Sequence, residues 1–420
     1  MNEIKEIQKI DFDGIPIDPF WNTSTEKELK IHRIHAYPAK FPAFITTKAL
    51  EYAKKSSHKV SSLADIFCGC GTTAFEAKRN NIDFWGCDIN PVATLITKTK
   101  SRKYQDSLIK KYLAEILERY ESSTFEDRYD LANERLKYWY KREEYNHLSQ
   151  LKNIVEEVTP ERSNYRDFFI CAFSNILKAT SVWLTKSIKP QVDPNKKPAN
   201  VIDAYKAQCN FMISANEQND LSGNSATQIV TGNFLDENMK KPMVDLIVTS
   251  PPYVISYEYA DLHQLSSLWL GFTEDYRDLR NGAIGSEQQN YNFDKEWKRL
   301  NSTGNKIVSR LLNQQKSKAY SIAKYFLDMQ AVTQKSYQML NNGGMALFVI
   351  GNTKYKEVLI DNAKHLAESL KDSGFTKILA TKRKISKKIL TPYRDENGKF
   401  TTVASGRKVY SEEFIIVGRK

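Results

Sequence analysis

The chain has 420 residues, of which 41% are hydrophobic and 27% are charged, and this predicts a globular protein of roughly two to three domains with a sizeable core. No apolar run reaches the ~18 residues of a membrane span, and the N-terminus lacks the apolar core of a signal peptide; the pattern excludes a membrane protein and predicts a cytoplasmic one. The net charge of +12 favours a polyanionic partner such as nucleic acid.

The cysteines and histidines indicate neither disulfides nor a metal. The five cysteines contain no Cys-X-X-Cys pair, so they predict no disulfide framework and no zinc site. The six histidines contain no His-Glu-X-X-His motif. We therefore expect chemistry that needs no metal.

The N-terminal part of the chain is expected to lead into a helix. Residues 1–30 carry scattered apolar side chains without a period and predict an arm that packs on the body of the protein. Residues 37–42, Tyr-Pro-Ala-Lys-Phe-Pro, predict an extended loop before a helix at 43–52. The free N–H groups of that helix could hold a carboxylate. An ordinary entry into a helix is an equal alternative.

The next segment has the pattern of a nucleotide-binding strand, loop and helix. A short apolar strand is predicted at 63–67. Gly69 and Gly71 follow it and permit a tight turn that a ligand can approach closely. Thr72 and Thr73 are typical of the start of a helix.

A second strand, at 82–88, ends in an acid. In that position Asp88 can accept hydrogen bonds from both ribose hydroxyls of a nucleotide. The three-glycine pattern of NAD and FAD sites is absent, which disfavours those cofactors. The chain returns to the sheet with a further strand at 228–231.

Between these strands lies a segment with helical spacing. Apolar positions recur at helical intervals in 104–120, 127–158 and 164–187. A proline-rich connector follows at 190–198. The aromatic run at 138–140 is more often core or interface than a contact to a base.

The most distinctive stretch is 244–253. Its apolar start predicts a buried strand, and Ser250-Pro251-Pro252-Tyr253 then predicts a rigid turn, because the two prolines remove backbone donors and fix φ. Such a turn offers a hydroxyl at Ser250, free carbonyls and an aromatic face at Tyr253. A planar base could stack there; a plain turn with a packed tyrosine is the structural alternative.

The last part of the chain predicts the remaining layers of an α/β fold. An amphipathic helix is expected at 321–340, stopped by Asn-Asn-Gly-Gly at 341–344. Apolar strands are expected at 345–351, 375–379 and 414–417. The sequence thus alternates helix and strand, as a sheet covered by helices requires.

The C-terminal region is strongly basic. From residue 381 onward it holds eleven Lys and Arg against four Asp and Glu. This clustering predicts a groove-lining surface that contacts nucleic acid. The residues predicted to make these contacts are Lys382, Arg383, Lys384, Lys387, Lys388 and Arg394.

Four segments resemble motifs of the amino-group DNA methyltransferases. Residues 65–73, Asp-Ile-Phe-Cys-Gly-Cys-Gly-Thr-Thr, resemble the S-adenosylmethionine loop of that family, with isoleucine in place of its usual proline. Residues 86–91 resemble the end of the family's second strand, and 37–42 resemble its N-terminal cofactor segment. Residues 249–253, Thr-Ser-Pro-Pro-Tyr, resemble its catalytic tetrapeptide in the serine form, which is typical of the cytosine-N4 branch.

The resemblance implies S-adenosylmethionine as the cofactor and assigns roles to residues. The catalytic residues implied are Ser250, Pro251, Pro252 and Tyr253. The cofactor contacts implied are Tyr37, Pro38, Lys40, Phe41, Asp65, Phe67, Gly69, Gly71, Thr72, Thr73, Asp88 and Ile89. The adenine ring is implied to lie near Asn233, which replaces the acid usual there, or near Asp236.

The family's fold is α/β, a seven-stranded Rossmann-like methyltransferase sheet, here with an inserted helical domain. We expect 1–100 and 227–420 to form the catalytic domain as a cofactor half and a catalytic half. The insert, 101–226, is a candidate for target recognition. Residues 254–320 are expected to line the catalytic mouth and to contact DNA; within them, His263 is expected to be packed rather than a general base.

The implied reaction is methyl transfer to the N4 amine of cytosine, on a base that has left double-stranded DNA. It would serve restriction-modification or a related defence, with a cognate restriction endonuclease as a candidate partner. Carbon-5 methylation is disfavoured because no cysteine follows a proline. Three alternatives stay open, in this order: adenine-N6 methylation of DNA, methylation of an RNA base, and a nucleic-acid-binding regulator without turnover.

Overall fold

The computed structural model describes residues 1–22, 27–38, 40, 42–238, 242–254, 258–286, 291–385 and 411–420, and the backbone alone at 393–394, 400–401 and 407–408. The strands are β1 Asn2–Glu3, β2 Ser62–Asp65, β3 Asp83–Asp88, β4 Thr227–Thr231, β5 Val244–Thr249, β6 Leu340–Ile350, β7 Thr353–Tyr355, β8 Val358–Ile360, β9 Lys377–Lys384, β10 Tyr393–Arg394, β11 Phe400–Thr401, β12 Arg407–Lys408 and β13 Glu412–Arg419. The α-helices are α1 Phe44–Lys55, α2 Thr72–Arg79, α3 Pro91–Lys100, α4 Asp106–Ser122, α5 Glu134–Trp139, α6 Arg142–Val158, α7 Asn164–Ile176, α8 Val201–Glu217, α9 Tyr259–Leu262, α10 Gln264–Trp269, α11 Phe293–Glu296, α12 Ser302–Leu312, α13 Lys316–Met339 and α14 Asn362–Asp372.

The chain has a mixed α/β fold around a large sheet, in the order β1-β9-β13-β6-β5-β2-β3-β4. The five strands from β4 to β6 in this order run parallel, and β13 lies antiparallel between β6 and β9. The family resemblance implied seven strands, but this sheet has eight among the described residues. The additional strand is β1, two residues of the predicted N-terminal arm that pair with the edge of β9.

The sheet is buried on both faces because its central strands are almost wholly apolar. In β5, Ile247 packs in the layer that contains α12, α13 and α14. Its neighbours Leu246 and Val248 point to the opposite layer, with α1 and α2. Side chains of β5 thus alternate between the two helical layers. The turn after β5 lies at the carboxyl end of this central strand, between those layers.

Between α3 and β4 the chain contains α4 to α8. The predicted segment 164–187 is an α-helix only as far as Ile176, and α8 lies outside the predicted segments. Helices α4 to α8 share one hydrophobic core with α3 and α10, so they pack directly against the sheet-bearing part. The predicted helix at 127–158 is divided into α5 and α6, because Tyr140 and Lys141 have extended backbone. Trp139 and Tyr140 are buried in this core, whereas Tyr138 is exposed.

The junction between α13 and β6 differs from its prediction. Residues 341–344 do not cap the helix, since β6 begins directly after it. Asn341 donates through Nδ2 to Asp245 Oδ1 at 2.8 Å. Gly343, at φ 75°, carries the strand through an irregular pairing with β5.

Residues 272–318 are mostly polar and have little apolar periodicity in sequence, yet they contain the helix α12. Asn301 caps this helix by accepting a hydrogen bond from the N–H of Gly304 at 2.9 Å. The buried side chains of α12 include Ile307 and Val308. A short apolar face and a side-chain cap therefore suffice for a helix where overall polarity hides the pattern.

Candidate active site

Three neighbouring strands end at one edge of the sheet. β2 pairs in parallel with both β3 and β5, so Asp65, Asp88 and Thr249, the last residues of these strands, come to the same edge. A cavity of about 1190 Å³, measured with its open mouth, lies there. Ligands of parallel α/β sheets bind in such a crevice, outside the carboxyl ends of the strands.

The glycine loop after β2 is fastened to the end of β3. The N–H of Gly69 donates to Asp88 Oδ2 at 2.8 Å, and the N–H of Asn90 donates to Oδ1 at 2.9 Å. Gly71 has φ 75°, and a Cβ there would lie 2.8 Å from Thr97 Cα. Only glycine fits at that position.

The carboxylate of Asp88 is poised to accept further hydrogen bonds. Each of its oxygens uses one acceptor site on the loop and retains another. Burial raises the pKa of Asp88 to about 6. Because a buried carboxylate gains from additional donors, hydroxyl groups of a ligand would be bound well here.

Asp65 links the glycine loop to the strand that leads into the Ser-Pro-Pro-Tyr turn. It is 1% exposed, and its Oδ1 accepts hydrogen bonds from Thr249 Oγ1 at 2.6 Å and from the N–H of Phe67 at 3.2 Å. Thr249 directly precedes Ser250. The bond therefore fixes the distance between the two parts of the site.

Replacing Asp65 with asparagine is expected to remove a pH-dependent part of the stability. Burial raises the pKa of Asp65 from 3.8 to about 6, so its contribution is fully present below the unfolded pKa and is lost as pH rises through about 6. Between about pH 4 and about pH 7, the wild type should lose on the order of 2–3 kcal/mol of unfolding free energy relative to Asp65→Asn. Urea unfolding across this range measures the difference, and parallel curves for the two proteins would contradict it.

Tyr37 forms one wall of the cavity and is backed by other rings. Its ring centroid lies 4.9 Å from that of His263 and 6.4 Å from that of Tyr259. Burial lowers the pKa of His263 to about 3. The imidazole is thus neutral and packed, the role expected for it, and it supports Tyr37.

The Ser-Pro-Pro-Tyr turn lies over the carboxyl end of β6. Ser250 Oγ donates to the carbonyl of Val349 at 3.0 Å, and Ser250 and Pro252 line the cavity. The hydroxyl of Tyr253 donates to Glu413 Oε1 at 3.0 Å. A Cβ on Gly351 would lie 3.0 Å from Tyr253 Cε2, so the tyrosine ring packs directly on the backbone of β6's end.

The structure brings most of the implied cofactor contacts together. The following line the cavity: Tyr37, Lys40, Asp65, Phe67, Gly69, Thr72, Asp88, Ile89 and Asn233. Four others, Pro38, Gly71, Thr73 and Asp236, lie outside its lining. Pro251, between the two turn residues that line the cavity, is buried. Phe41 falls outside the described residues.

One wall lies within 254–320, the range expected to line the catalytic mouth, but none of its residues was singled out from the sequence. It is formed by a loop that includes Arg280, Gly282 and Gly285. The two glycines have φ 75° and φ 87°, and Asn233 Nδ2 donates to the carbonyl of Gly282 at 3.1 Å. Closely spaced glycines within the polar 272–318 stretch were the available signal, since they permit turns that cover a ligand.

The predicted basic contacts lie in different environments. Lys382 and Arg383 are buried; Lys382 donates to the carbonyl of Asp13, and Arg383 is bonded to Glu413. Contact with DNA would require both side chains to leave these partners. Lys384 is exposed. Two further residues, Lys387 and Lys388, lie outside the described residues, and Arg394 is described only through its backbone in β10.

Metal-binding groups and membrane-spanning helices are absent from the described ranges of the chain. No three His, Cys, Asp or Glu side chains lie together there as a metal site requires, and the five cysteines are buried and free. No described helix is both long and apolar enough to cross a membrane.

Known proteins that are similar to this chain include DNA methyltransferases. Residues 2–99 match the N6/N4 methyltransferase family model, described as DNA methylase. The Type II methyltransferase M.MvaI of Kocuria varians is 24% identical over 397 residues, which cover 88% of this chain and 87% of the relative. The Type II methyltransferase M.MjaII of Methanocaldococcus jannaschii is 33% identical over 93 residues, 22% of this chain and 17% of that protein.

Among solved structures, the rRNA methyltransferase aviRa of Streptomyces viridochromogenes aligns over 92% of this chain and 88% of its own, at 9% identity and a TM-score of 0.28. That likeness is too low to support an argument. The family match covers the glycine loop and Asp88, and the M.MvaI match covers most of both chains. The chain is therefore similar to amino-group (N6/N4) DNA methyltransferases, by the family model over residues 2–99 and by M.MvaI over most of both chains.

Proposed function

We propose that this chain transfers a methyl group from S-adenosylmethionine to the exocyclic N4 amine of cytosine, on a base flipped out of double-stranded DNA. The observation that carries the proposal is that Ser250 lies on the wall of the same cavity as Gly69 and Asp88. A methyl donor bound by the glycine loop and an amine bound by the Ser-Pro-Pro-Tyr turn would meet in this cavity. A Rossmann-like methyltransferase sheet is part of the proposal, and the strand order supports it.

The donors and acceptors of the cavity fit S-adenosylmethionine. Asp88 offers acceptors to the ribose hydroxyls, and Gly69, at φ 48° and without a side chain, lets the ligand approach the backbone. Lys40 is a cation on the cavity wall and suits the cofactor's carboxylate; Asn233 or Asp236 would lie near its adenine. When bound, the cofactor supplies an electrophilic methyl group on a sulfonium sulfur.

The turn can hold and align the amine. The amine of an aromatic base is a poor nucleophile because its lone pair is delocalised into the ring. Ser250 Oγ gives its own hydrogen to Val349, so its lone pairs can accept a hydrogen bond from the amine. The carbonyl of Pro251 is the proposed second acceptor. Catalysis here is chiefly alignment; the bond from methyl carbon to sulfur breaks as the bond to the amine nitrogen forms, and the amine proton then leaves to water.

Tyr253 offers a stacking surface for the flipped base. Its ring packs on Gly351 and is half-buried; Tyr253 lies outside the lining of the cavity, directly after Pro252, which lines it. Stacking of a base on an aromatic ring contributes ~1–3 kcal/mol, which offsets much of the few kcal/mol needed to flip the base. Serine at position 250 favours cytosine over adenine, since adenine enzymes more commonly carry Asp or Asn there.

The helical segment 101–226 is proposed to take part in target recognition. Asn133 Nδ2 donates to the carbonyl of Glu274 at 2.8 Å, and Arg135 Nε donates to Gln264 Oε1 at 2.7 Å. These bonds join the segment to 254–320, the proposed catalytic mouth. Both curated relatives are named Type II methyltransferases, which supports a role in restriction-modification beside a cognate endonuclease.

Labelled cofactor shows which polymer accepts the methyl group. The purified chain is incubated with methyl-labelled S-adenosylmethionine and, in parallel, with unmethylated double-stranded DNA, the same DNA as single strands, and RNA of mixed sequence. We expect label in double-stranded DNA. Label in RNA alone would contradict the proposal, and the absence of label from all three would favour a non-catalytic nucleic-acid-binding regulator.

Replacing Lys387 and Lys388 with alanine is expected to weaken DNA binding. Each lysine that contacts a phosphate releases a counterion on binding, so the slope of log affinity against log salt should fall by about one unit per lost contact. Fluorescence anisotropy with a labelled duplex at several salt concentrations measures this slope. An unchanged slope would place the DNA-binding surface elsewhere.

A further inference from the structure

Tyr253 is the first member of a hydrogen-bonded chain that runs from the turn after β5 to β13 and β9. Its hydroxyl donates to Glu413 Oε1 at 3.0 Å. Arg383 donates to the other oxygen, Oε2, from Nε at 2.9 Å and from Nη2 at 2.6 Å. One carboxylate oxygen thus serves the arginine, and the other is left to the tyrosine.

The sheet itself sets this arrangement. Glu413 in β13 lies directly opposite Arg383 in β9, so the two are cross-strand partners and reach each other without a change of backbone. The side chains of Arg383 and Glu413 are 4% and 16% exposed. A charge buried to this degree remains only if it is paired, which makes each of the two dependent on the other.

The Ser-Pro-Pro-Tyr turn also contacts the backbone at the end of β6. Tyr253 crosses Gly351, whose missing side chain leaves space for the ring, and Ser250 donates to the carbonyl of Val349, two residues earlier. The turn after β5 is therefore attached at two points to the end of β6 and at a third point to β13. The third attachment acts on the ring that is proposed to stack against the base.

We propose that Glu413 and Arg383 are positioning residues for methyl transfer: Arg383 fixes the carboxylate of Glu413, and Glu413 fixes the ring of Tyr253 at the angle needed for base stacking. The inference rests on the proposed function of the Ser-Pro-Pro-Tyr turn. Arg383 would then act inside the protein and not as a contact to DNA phosphate. The hydroxyl of Tyr253 would be needed to orient the ring, so phenylalanine could not replace it.

A double-mutant cycle tests this coupling. Tyr253→Phe, Glu413→Gln and the double variant are compared with wild type for kcat, KM for DNA and cofactor affinity. Each single change removes the same hydrogen bond to a charged group and should lower kcat about tenfold, with cofactor affinity unchanged. The double variant should be no slower than either single variant, because the bond can be lost only once.

Folding and surface charge are controlled separately. Glu413→Asp keeps a charge for Arg383 but shortens the reach to Tyr253, so it should also lower kcat, and it replaces Glu413→Gln if thermal unfolding shows that variant to be unfolded. Glu51→Gln, in an exposed pair with Lys55 on α1, should leave kcat unchanged. Arg383→Gln should lower kcat and leave the salt slope of DNA binding unchanged, whereas a slope smaller by about one unit would make Arg383 a phosphate contact.

The inference is overturned if the effects of Tyr253→Phe and Glu413→Gln multiply to about 100-fold in the double variant, since independent residues behave additively in free energy. The proposed function can fail separately. Transfer by wild type to adenine or to RNA would overturn the cytosine-DNA assignment, and the cycle would then be measured on whichever base accepts the methyl group.

Discussion

Alanine in place of Asp88 is expected to raise the dissociation constant for S-adenosylmethionine by about 100-fold, because two hydrogen bonds from ribose hydroxyls to a carboxylate are lost together. The substitution also frees the N–H groups of Gly69 and Asn90, which Asp88 holds at 2.8 and 2.9 Å. Both effects act on the cofactor. Isothermal titration with the cofactor, and anisotropy with duplex DNA, should therefore show a large loss for the cofactor and a small loss for DNA.

Two matched variants separate the causes of this loss. Asp88→Asn keeps a similar shape and one acceptor oxygen, so its cofactor affinity should fall between those of wild type and Asp88→Ala. Asp220→Ala removes an exposed carboxylate that pairs with Arg79 on the surface and should leave cofactor affinity unchanged. Equal losses of cofactor and DNA affinity in Asp88→Ala would refute the ribose assignment.

Truncation of Tyr253 to alanine should lower kcat/KM for methyl transfer to duplex DNA by about 100-fold. Loss of stacking contributes ~1–3 kcal/mol, and the turn also loses its attachment to Glu413. Because each 1.36 kcal/mol corresponds to about tenfold in rate, the two contributions together reach this size. Initial rates with labelled cofactor and subsaturating DNA measure it.

Tyr253→Phe keeps the ring and should be affected less than Tyr253→Ala. Tyr337→Ala provides a second control, since Tyr337 is a half-buried tyrosine on α13 that packs on Phe375 and is not part of the Ser-Pro-Pro-Tyr turn. Its rate should follow wild type once the protein is shown to be folded. Nearly full methyl transfer by Tyr253→Ala would show that the stacking role is wrong.

The parts of the site that could be predicted are those that depend on a short, continuous stretch of sequence. An apolar run followed by glycines, and an acid at the end of the next apolar run, identify Gly69 and Asp88 because their local geometry demands those residue types. The same holds for Ser250, whose position after a buried strand follows from the two prolines. In the structure these three residues line one cavity.

The remainder depends on contacts between distant parts of the chain. Asp65 and Thr249 are bonded across 184 residues of sequence, and Tyr253 and Glu413 across 160. Neither hydrogen bond could be predicted from the local sequence pattern, because each depends on which strands lie next to each other in the sheet. The basic run beginning at Lys382 shows the same limit: its charge suggested a surface, but the alternation of β9 points Arg383 inward to a carboxylate on β13.

The central claim is tested most directly by identifying the methylated nucleoside. Duplex DNA methylated by the wild-type chain is digested to nucleosides, which are separated by chromatography and identified by mass and retention against standards. Retention is needed because N4-methylcytosine and 5-methylcytosine have the same mass. We predict N4-methylcytosine as the labelled product; N6-methyladenine in its place would contradict the assignment of cytosine to the Ser-Pro-Pro-Tyr turn.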